Sequence, residues 1–234
     1  MENNKKQNDI IASMLNYQNE LNILTSGRKW KNGITMDNKP IYWDYYIFLE
    51  LGEMLESLNA KHWKNIEDGI DYDNIKIELV DIFHFLLSKV LVKHFNHNTN
   101  LNIYIDEIYS AYNLAATVGI NEREIVTTLT STSTELLYSL IKNYDIVVIF
   151  TKFFELINLI DSVTNDFKLE DIYKLFLAKY TLNRFRQLNG YKENKYRKIW
   201  NGVEDNVYLK DIISETTDVD TILKRLEVLY NQSK

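Results

Sequence analysis

The chain contains no cysteine, one proline and seven glycines among its 234 residues. The lack of cysteine excludes disulfide bonds, thiolate zinc sites and a cysteine nucleophile, so any bound metal must be held by oxygen or imidazole ligands. The scarcity of proline and glycine leaves few residues for tight turns, which favours long helices joined by short loops over a sheet. We therefore predict an all-α fold.

Long apolar runs are also missing. No stretch reaches the roughly 18 apolar residues of a membrane-spanning helix, and the start, MENNKKQNDI, lacks the apolar segment of a secretory signal. We expect a cytoplasmic protein with no membrane partner. The formal net charge is −6, with 27 basic and 33 acidic residues spread along the chain. A nucleic acid polymer is therefore not expected as a partner, whereas a small phosphorylated ligand needs only a few local cations.

Apolar residues recur at helical spacing along most of the chain, and no linker rich in Pro, Ser or Gly divides it. We predict one domain over residues 1–234. Residues 101–167 carry no chemical constellation, so we expect them to be structural or to form an oligomer interface. The predicted helices span residues 10–24, 43–58, 75–95, 103–118, 122–141, 146–163 and 169–188, followed by shorter helices at 206–214 and 218–230.

Two of the predicted helices carry acids inside apolar runs. FLELGEMLESL places Glu50 and Glu53 three residues apart, and IELVDIFHFLL places Glu78 and Asp81 at the same spacing. Residues three apart share a helix face, so each helix directs two carboxylates the same way. If a short loop around Gly69 pairs the helices, the four acids form a half-shell suited to Mg²⁺, which phosphate oxygens and water complete.

A solvated surface and a di-iron bundle are the competing settings for these acids. Either pair alone is better explained as exposed surface acids, because the spacing arises often by chance. Two pairs flanked by apolar residues such as Phe48 and Leu49 favour acids that face a cleft, and Gly52 is expected to let a helix or a phosphate approach the backbone. A di-iron bundle needs Glu-x-x-His pairs from two helices, and the chain offers one imperfect match, Asp81-x-x-His84.

A basic segment near the C-terminus contrasts with the acidic balance of the whole chain. Lys179, Asn183 and Arg186 follow at helical spacing and can share a face, and Gly190 permits a turn that brings Tyr191 and Lys192 back. A solvated helix end that complements the helix dipole is the alternative. The polar and aromatic neighbours favour a segment that binds a triphosphate. Its basic residues are Lys179, Arg184, Arg186, Lys192, Lys195, Arg197 and Lys198.

Three further groups are candidates for contacting a nucleoside. Gln18 and Asn22 lie four residues apart on the first predicted helix and can present amide groups to a base edge, and Trp63 can cover a base face. Each has an ordinary alternative, because amides are frequent on exposed helix faces and a lone Trp usually packs. His84 shares a stripe with Glu78 and Asp81 and is equally well explained as a hydrogen-bonded core histidine.

Several of these motifs resemble those of a known family. ELGEMLES and HWKN look like its first metal motif and following loop, and IELVDIFHF looks like its second metal motif. LNRFRQLNGYK and KIWNGVEDN look like its C-terminal phosphate and nucleoside motifs. The chain thereby resembles, over most of its length, the dimeric all-α dUTPases, a branch of the MazG-like nucleoside triphosphate pyrophosphohydrolases.

The resemblance implies a multi-helix fold with a four-helix catalytic core, a homodimer, and Mg²⁺-dependent hydrolysis of dUTP, and also of dUDP, to dUMP. Glu50 or Glu53 would act as the catalytic base. The implied Mg²⁺ ligands are Glu50, Glu53, Glu78 and Asp81. The implied phosphate ligands are Lys179, Arg186, Tyr191, Lys192 and Lys198. The implied uracil and deoxyribose contacts are Gln18, Asn22, Trp63, His84 and Asn183.

Two other functions compete with this one. The first is a related pyrophosphohydrolase that acts on another nucleotide, such as dCTP. The second is a helical protein without enzymatic activity that binds a partner or senses a nucleotide. A panel of deoxynucleoside triphosphates separates the first, since cytosine offers an amino donor where uracil offers a carbonyl acceptor.

Overall fold

A computed structural model describes residues 2–63, 69–117, 119–120 and 123–233. The fold is all-α, as predicted, with one two-stranded antiparallel hairpin near the C-terminus. The helices are α1 (Glu2–Ser26), α2 (Trp43–Glu56), α3 (Tyr72–His97), α4 (Leu101–Leu114), α5 (Ile125–Ile141), α6 (Ile146–Thr164), α7 (Leu169–Leu188), α8 (Val207–Glu215) and α9 (Val219–Gln232). A 3₁₀ helix (Arg28–Asn32) follows α1, and strands β1 (Ile199–Trp200) and β2 (Val203–Glu204) lie between α7 and α8.

The predicted helix positions agree closely with these bounds, and the bounds of α7 are those predicted. The main difference is α1, which begins at Glu2 rather than at Ile10. The predicted end of the fourth helix, Val118, and the predicted start of the fifth, Glu122, lie outside the described residues. Within them, α4 ends at Leu114 and α5 begins at Ile125.

Asparagine ends helices in this glycine-poor chain. The residues after α3 and α6 are Asn98 and Asn165, with φ values of 49° and 59°, and both adopt the left-handed conformation. Asparagine tolerates this conformation better than other residues with a Cβ, because its short side chain can hydrogen-bond locally. Asp71 begins α3 by accepting a hydrogen bond from the backbone N–H of Asn74.

Helix α3 lies at the centre of the fold. It packs against α1, α2, α6 and α7, and its side chains are buried on several faces. Most of its buried side chains are apolar, so an acid buried on it is costly unless it faces a site or a partner. Glu78 is such an acid, with 6% of its surface exposed.

A second, smaller apolar cluster forms around the C-terminal half of α7. The β1–β2 hairpin, α8 and α9 pack there, with Phe185 on α7 meeting the ring of Trp200 on β1. This cluster fixes the hairpin beside the end of α7 that carries the predicted phosphate ligands. None of the described helices has the length and apolar character needed to cross a bilayer.

Candidate active site

Three of the four predicted metal ligands come together where α2 packs on α3. Glu50, Glu78 and Asp81 each direct one carboxylate oxygen into a cluster in which these atoms lie within 4.8 Å of one another. Glu78 is buried, and Glu50 and Asp81 are partly buried. These three residues are called the carboxylate cluster below. Its geometry could hold a divalent metal ion.

The electrostatics of the carboxylate cluster also fit a cation. The pKa of Glu50 is raised to about 8 by burial first and then by the charges of Asp81 and Glu78. The pKa of Glu78 is raised to about 7 by burial and by Asp81, although the charge of Lys179 acts in the opposite direction. Crowded carboxylates therefore retain protons near neutral pH, and a divalent cation would remove that cost.

The fourth predicted ligand, Glu53, is placed differently. It lies one turn along α2 from Glu50, its side chain is exposed, and it lies outside the 4.8 Å cluster. Its charge still raises the pKa values of both Glu50 and Glu78, so it lies near the rim of the carboxylate cluster. Its role as a metal ligand stays a prediction.

The outer face of α2 is more open than predicted. Phe48 and Leu49 are 55% and 41% exposed, so these two apolar neighbours do not enclose the acids on this side. A Cβ added at Gly52 would meet no atom within 4 Å, so among the described residues no neighbouring helix lies against this glycine. Approach of a phosphate to Gly52 stays a prediction.

Lys179 of α7 contacts the carboxylate cluster through Asp81. It is 2% exposed, and its Nζ lies 2.6 Å from Asp81 Oδ2. The same Nζ donates to Asn206 Oδ1, at 3.2 Å. Because a buried lysine needs an anionic or polar partner, Asp81 compensates Lys179 in the structure as it stands.

Arg186 lies two turns along α7 from Lys179 and is held by the hairpin region. Its Nε and Nη2 donate to the two carboxylate oxygens of Asp205, at 2.9 and 2.6 Å. Its Nη1 donates to Asn183 Oδ1 at 3.1 Å, as the shared helix face predicts. Asp205 is fully buried and also accepts from the Tyr196 hydroxyl at 2.8 Å.

A cavity of about 290 Å³ adjoins the carboxylate cluster and unites most of the predicted site. Asp81 belongs to both, so the cavity opens directly beside the cluster. Gly190 adopts φ +81°, and the chain turns there so that Tyr191, but not Lys192, returns to the cavity wall. The predicted site residues that line the cavity are Gln18, Asn22, Asp81, His84, Asn183, Arg186 and Tyr191.

Gln18, Asn22 and His84 form one buried hydrogen-bond network. Gln18 Nε2 donates to Asn22 Oδ1 and to Ser88 Oγ, both at 2.9 Å. Gln18 Oε1 therefore faces His84 Nδ1, at 2.5 Å. An amide oxygen can only accept, so Nδ1 carries the hydrogen and Nε2 carries a lone pair.

The free nitrogen of His84 distinguishes it from an ordinary core histidine. His84 Nε2 is buried and has no hydrogen-bond partner among the described residues. Burial first, and then the charge of Lys179, lowers the pKa of His84 to about 3, so the ring stays neutral at physiological pH. His84 stacks on Phe176 at 4.1 Å between ring centroids, which fixes the ring plane. The cavity thus gains an oriented acceptor.

Aromatic residues line the cavity, but Trp63 is not among them. Trp63 is 70% exposed in the loop after α2 and meets the ring of His62, and Lys64 and Asn65 of the HWKN motif lie outside the described residues. The cavity is lined instead by Trp43, Tyr46 and Phe85. Trp43 Nε1 is buried and lacks a partner among the described residues, which leaves one indole donor there.

The two remaining predicted phosphate ligands lie near the cavity rather than on its wall. Lys198 Nζ lies 5.7 Å from the centroid of the Tyr191 ring. Lys192 Nζ lies 3.8 Å from a carboxylate oxygen of Asp37, in the loop after the 3₁₀ helix. Lys192 follows Tyr191 in the chain and Lys198 lies over its ring, so both lysines can contribute positive charge beside the cavity.

Several residues at or beside the site are missing from the sequence-based prediction: Trp43, Tyr46, Phe85, Ser88, Tyr196, Asp205 and Asn206. Ser88 follows His84 by four residues, so helical spacing could have identified it. Asp205 and Asn206 fall within KIWNGVEDN, but no spacing rule relates them to Lys179 and Arg186, which they contact through the fold. These contacts depend on the hairpin.

The fold and the site together define an all-α protein with a carboxylate cluster beside a polar cavity that basic side chains border. In a comparison with protein families, the family model described as dUTPase matches residues 10–191. The chain therefore belongs to the dUTPase family. It is accordingly a dUTP diphosphatase, a hydrolase whose substrate is a nucleotide. A comparison with curated proteins gave no match.

Proposed function

We propose that the protein hydrolyses dUTP to dUMP and pyrophosphate in a Mg²⁺-dependent reaction, and that it also converts dUDP to dUMP and phosphate. The observation that carries this proposal is the position of Asp81, which belongs to the carboxylate cluster and also lines the cavity. Phosphates held at the cluster and a nucleoside in the cavity would therefore occupy adjoining spaces.

Glu50, Glu78 and Asp81 are the residues that would hold Mg²⁺, with Glu53 at the rim as a fourth oxygen ligand. Carboxylates on a partly buried face suit this ion, which prefers a few protein oxygens together with water and phosphate oxygens. When bound, Mg²⁺ would neutralise the negative charge that develops on the phosphoryl oxygens. The raised pKa values of Glu50 and Glu78 support a site that favours added positive charge.

A glutamate of α2 would accept the proton of the attacking water. Glu50 is one candidate, because it belongs to the carboxylate cluster and so would lie beside the proposed metal. Glu53 is the alternative, since its exposed carboxylate can reach solvent. As water adds to phosphorus, the bond that joins the nucleoside monophosphate to pyrophosphate breaks.

Basic side chains would stabilise the pyrophosphate leaving group. Arg186 and Tyr191 line the cavity, and Lys179 contacts Asp81 on its wall. Lys192 follows Tyr191 in the chain, and Lys198 lies over the Tyr191 ring. Charge-assisted hydrogen bonds from such groups favour a leaving group that gains negative charge.

The nucleoside would bind through groups that the protein leaves unpaired. His84 Nε2 is an acceptor and Trp43 Nε1 is a donor, and both residues line the cavity. Uracil offers an N3–H donor between two carbonyl acceptors, whereas cytosine has no hydrogen at N3. Gln18, Asn22 and Asn183 would complete the base and sugar contacts, and Trp63 would have to move to cover the base.

A panel of the common deoxynucleoside triphosphates, with dUDP, tests the proposal directly. We expect hydrolysis of dUTP and dUDP that requires Mg²⁺, and turnover of dCTP at least about 100-fold slower, as expected when a site's hydrogen-bonding groups are left unpaired. Equal turnover of dCTP and dUTP would refute the proposed base recognition. Full activity in chelator would refute the metal requirement.

Quaternary structure and location stay predictions. We propose a homodimer, which the resemblance to dimeric relatives and the exposed apolar side chains of α2 support. Tyr45 and Phe48 lie three residues apart on this helix, Tyr42 directly precedes it, and each is more than half exposed. Light scattering on the purified protein tests the dimer. A cytoplasmic location without a nucleic acid partner is proposed on the same resemblance.

A further inference from the structure

Two basic segments stand out in a chain that is acidic as a whole. Residues 28–39 and 192–198 contain eight lysines and arginines and two acids, whereas the rest of the chain contains 19 basic and 31 acidic residues. All eight basic residues are exposed, so their charge faces the solvent from which a ligand arrives. They are called the basic band below: Arg28, Lys29, Lys31, Lys39, Lys192, Lys195, Arg197 and Lys198.

The two segments border the same cavity, although more than 150 residues separate them in the chain. Thr35 and Ile41 line the cavity from the loop that contains or adjoins the first segment. Tyr191 also lines it and directly precedes the second segment. The segments meet where Lys192 Nζ lies 3.8 Å from a carboxylate oxygen of Asp37. The basic band therefore adjoins two walls of the cavity.

The cations of the first segment are close enough to act on a charge that enters the cavity. Lys39 is two residues from Ile41, so its Cα lies within about 8 Å of a residue on the cavity wall. Lys29 Nζ donates to Asn38 Oδ1 at 3.1 Å, which holds this ammonium group against the same loop. The Debye length is about 10 Å at 0.1 M ionic strength, so both charges reach the cavity in dilute buffer.

The basic band is not neutralised by acids of the protein. The pair of Lys192 and Asp37 is its only ion pair among the residues that the structure describes. Lys179 and Arg186 differ, because each forms an ion pair with a carboxylate inside the fold. The basic band therefore keeps an outward positive potential beside the cavity, on a molecule that otherwise repels anions.

We propose that the basic band steers the anionic nucleotide to the cavity, and that the four cations of residues 28–39 set the rate of association without touching the bound phosphates. The inference rests on the proposed function, in which the ligand is a nucleoside di- or triphosphate. A local positive potential raises the concentration of such a ligand at the cavity. A nucleic acid polymer fits the surface less well, because it would extend from the basic band onto acidic surface.

Steering and direct contact differ in what they change. A charge beside a site alters the association rate, and salt screens its effect. A cation held against bound phosphate alters the dissociation rate instead, and its effect persists in salt. Measuring both rate constants at low and high ionic strength therefore separates the two roles.

The experiment uses a dUTP analogue in which nitrogen bridges the α- and β-phosphorus atoms, so that binding is observed without cleavage. Trp43 lines the cavity, so tryptophan fluorescence in a stopped-flow instrument reports binding. The band variant combines Arg28→Gln, Lys29→Gln and Lys39→Gln. With Mg²⁺ present, we expect its association rate to be about fivefold lower than that of the unmodified protein at about 0.01 M ionic strength. At about 0.5 M the two should agree within about 1.5-fold, with equal dissociation rates at both.

A control variant and a control ligand isolate the effect of position and of charge. Lys5→Gln, Lys142→Gln and Lys224→Gln combined remove the same charge from exposed lysines that do not line the cavity. This variant should associate within about twofold of the unmodified protein at low ionic strength. Deoxyuridine carries no charge, so its affinity, measured by competition, should be equal in all three proteins.

Equal association rates of the band variant and the control variant at low ionic strength would overturn the proposal. A loss that persists at high ionic strength, or a faster dissociation, would also overturn it, because both indicate direct contact. If the band variant is unfolded or binds deoxyuridine more weakly, Arg28→Gln and Lys39→Gln decide singly, each with an expected loss of about 1.5- to twofold. If the unmodified protein does not hydrolyse dUTP, the proposed function fails instead. Calorimetry with pyrophosphate and Mg²⁺ at both ionic strengths then still tests the basic band.

Discussion

The acidic and basic sides of the site are built in opposite ways. On the acidic side, Glu50, Glu78 and Asp81 crowd together, and a single cation, Lys179, reaches them among the described residues. On the basic side, Arg186 is matched by a buried carboxylate and further amide oxygens. The acidic side therefore has more carboxylates than cations, and its pKa values are raised, whereas the basic side is compensated within the protein.

This difference indicates what each side contributes. A cluster of like charges is unfavourable by itself and gains most from a ligand of opposite charge, so the acidic side should control metal binding. A compensated cation gains less from a new partner but holds a fixed position. The basic side should therefore orient phosphates rather than provide most of the binding energy.

Removing one acid tests the acidic side and should have the largest effect. Glu78→Gln keeps the size of the side chain but removes an ionisable carboxylate, a proposed metal ligand, from the buried centre of the carboxylate cluster. We expect dUTP hydrolysis at saturating substrate to fall at least about 100-fold, the range seen when one group that stabilises developing charge is lost. Steady-state assays over a range of Mg²⁺ concentrations measure it.

The control for this variant is Glu227→Gln, an exposed glutamate of α9 far along the chain from the site. It should keep full activity. Activity of Glu78→Gln within about threefold of the unmodified protein would show that the carboxylate cluster does not supply the catalytic metal site.

The helices and the carboxylate cluster were largely predictable from the sequence. Apolar periodicity gave the bounds of α7, and the three-residue spacing of acids gave Glu50, Glu78 and Asp81. Local rules suffice here, because residues three or four apart on a helix share a face whatever the rest of the chain does. The extension of α1 to Glu2 was missed, because the polar residues there show no apolar period.

Contacts between distant segments could not be predicted in the same way. Asp205 meets Arg186 because the hairpin folds back against the end of α7, a consequence of packing around Phe185 and Trp200. Trp63 was expected over the base because of its motif, yet its loop leaves it exposed. Such placements depend on loop and hairpin geometry, which a single sequence specifies only weakly.

His84 lies in the cavity wall, and the ionisation of its ring affects the stability of the folded protein. The pKa of its ring falls from an ordinary value of 6.5 to about 3, because burial and Lys179 disfavour the charged form. Below pH 6.5 the unfolded chain therefore binds the proton and the folded chain does not, so this group lowers stability as pH falls from 6.5 toward 3. The loss at pH 4.5 should approach about 2 to 3 kcal/mol.

Urea unfolding at pH 7 and pH 4.5 measures that contribution. His84→Asn should lose less stability between the two pH values than the unmodified protein, whatever its stability at pH 7. His97→Asn removes an exposed histidine at the end of α3 and serves as the control. Identical pH dependence in all three proteins would contradict a buried neutral His84.

The stabilisation of the folded protein by Mg²⁺ should depend on pH, because the acids of the acidic side titrate. The pKa values of Glu50 and Glu78 are raised above 4.5, so their contribution to stability is present at low pH and is lost as pH rises through 7 and 8. Mg²⁺ should restore this stability at high pH, because it supplies the positive charge that the lost protons supplied. We expect the Mg²⁺-induced rise in Tm to be about 3 °C larger at pH 8.5 than at pH 6, the effect of about 1 kcal/mol in a chain of this size.

Thermal melts of the unmodified protein and of Glu50→Gln, each with and without Mg²⁺, measure this effect. The variant lacks one of the two titrating acids, so its Mg²⁺ response should vary less with pH. A response that is larger at pH 6 than at pH 8.5 would mean that protons and metal do not compete for the carboxylate cluster.

Removing the charge of an exposed lysine beside the cavity should have the smallest effect on activity. Lys198 lies over the Tyr191 ring and is not buried, so water and salt screen its charge. Lys198→Met should lower kcat/KM for dUTP by about two- to threefold, and the loss should shrink as salt is added. Lys224→Met, on α9, is the control for a general change in net charge. A loss above about 30-fold that persists in high salt would place Lys198 in direct contact with the phosphates. The basic side would then provide substantial binding energy through Lys198, although Arg186 is already compensated by Asp205.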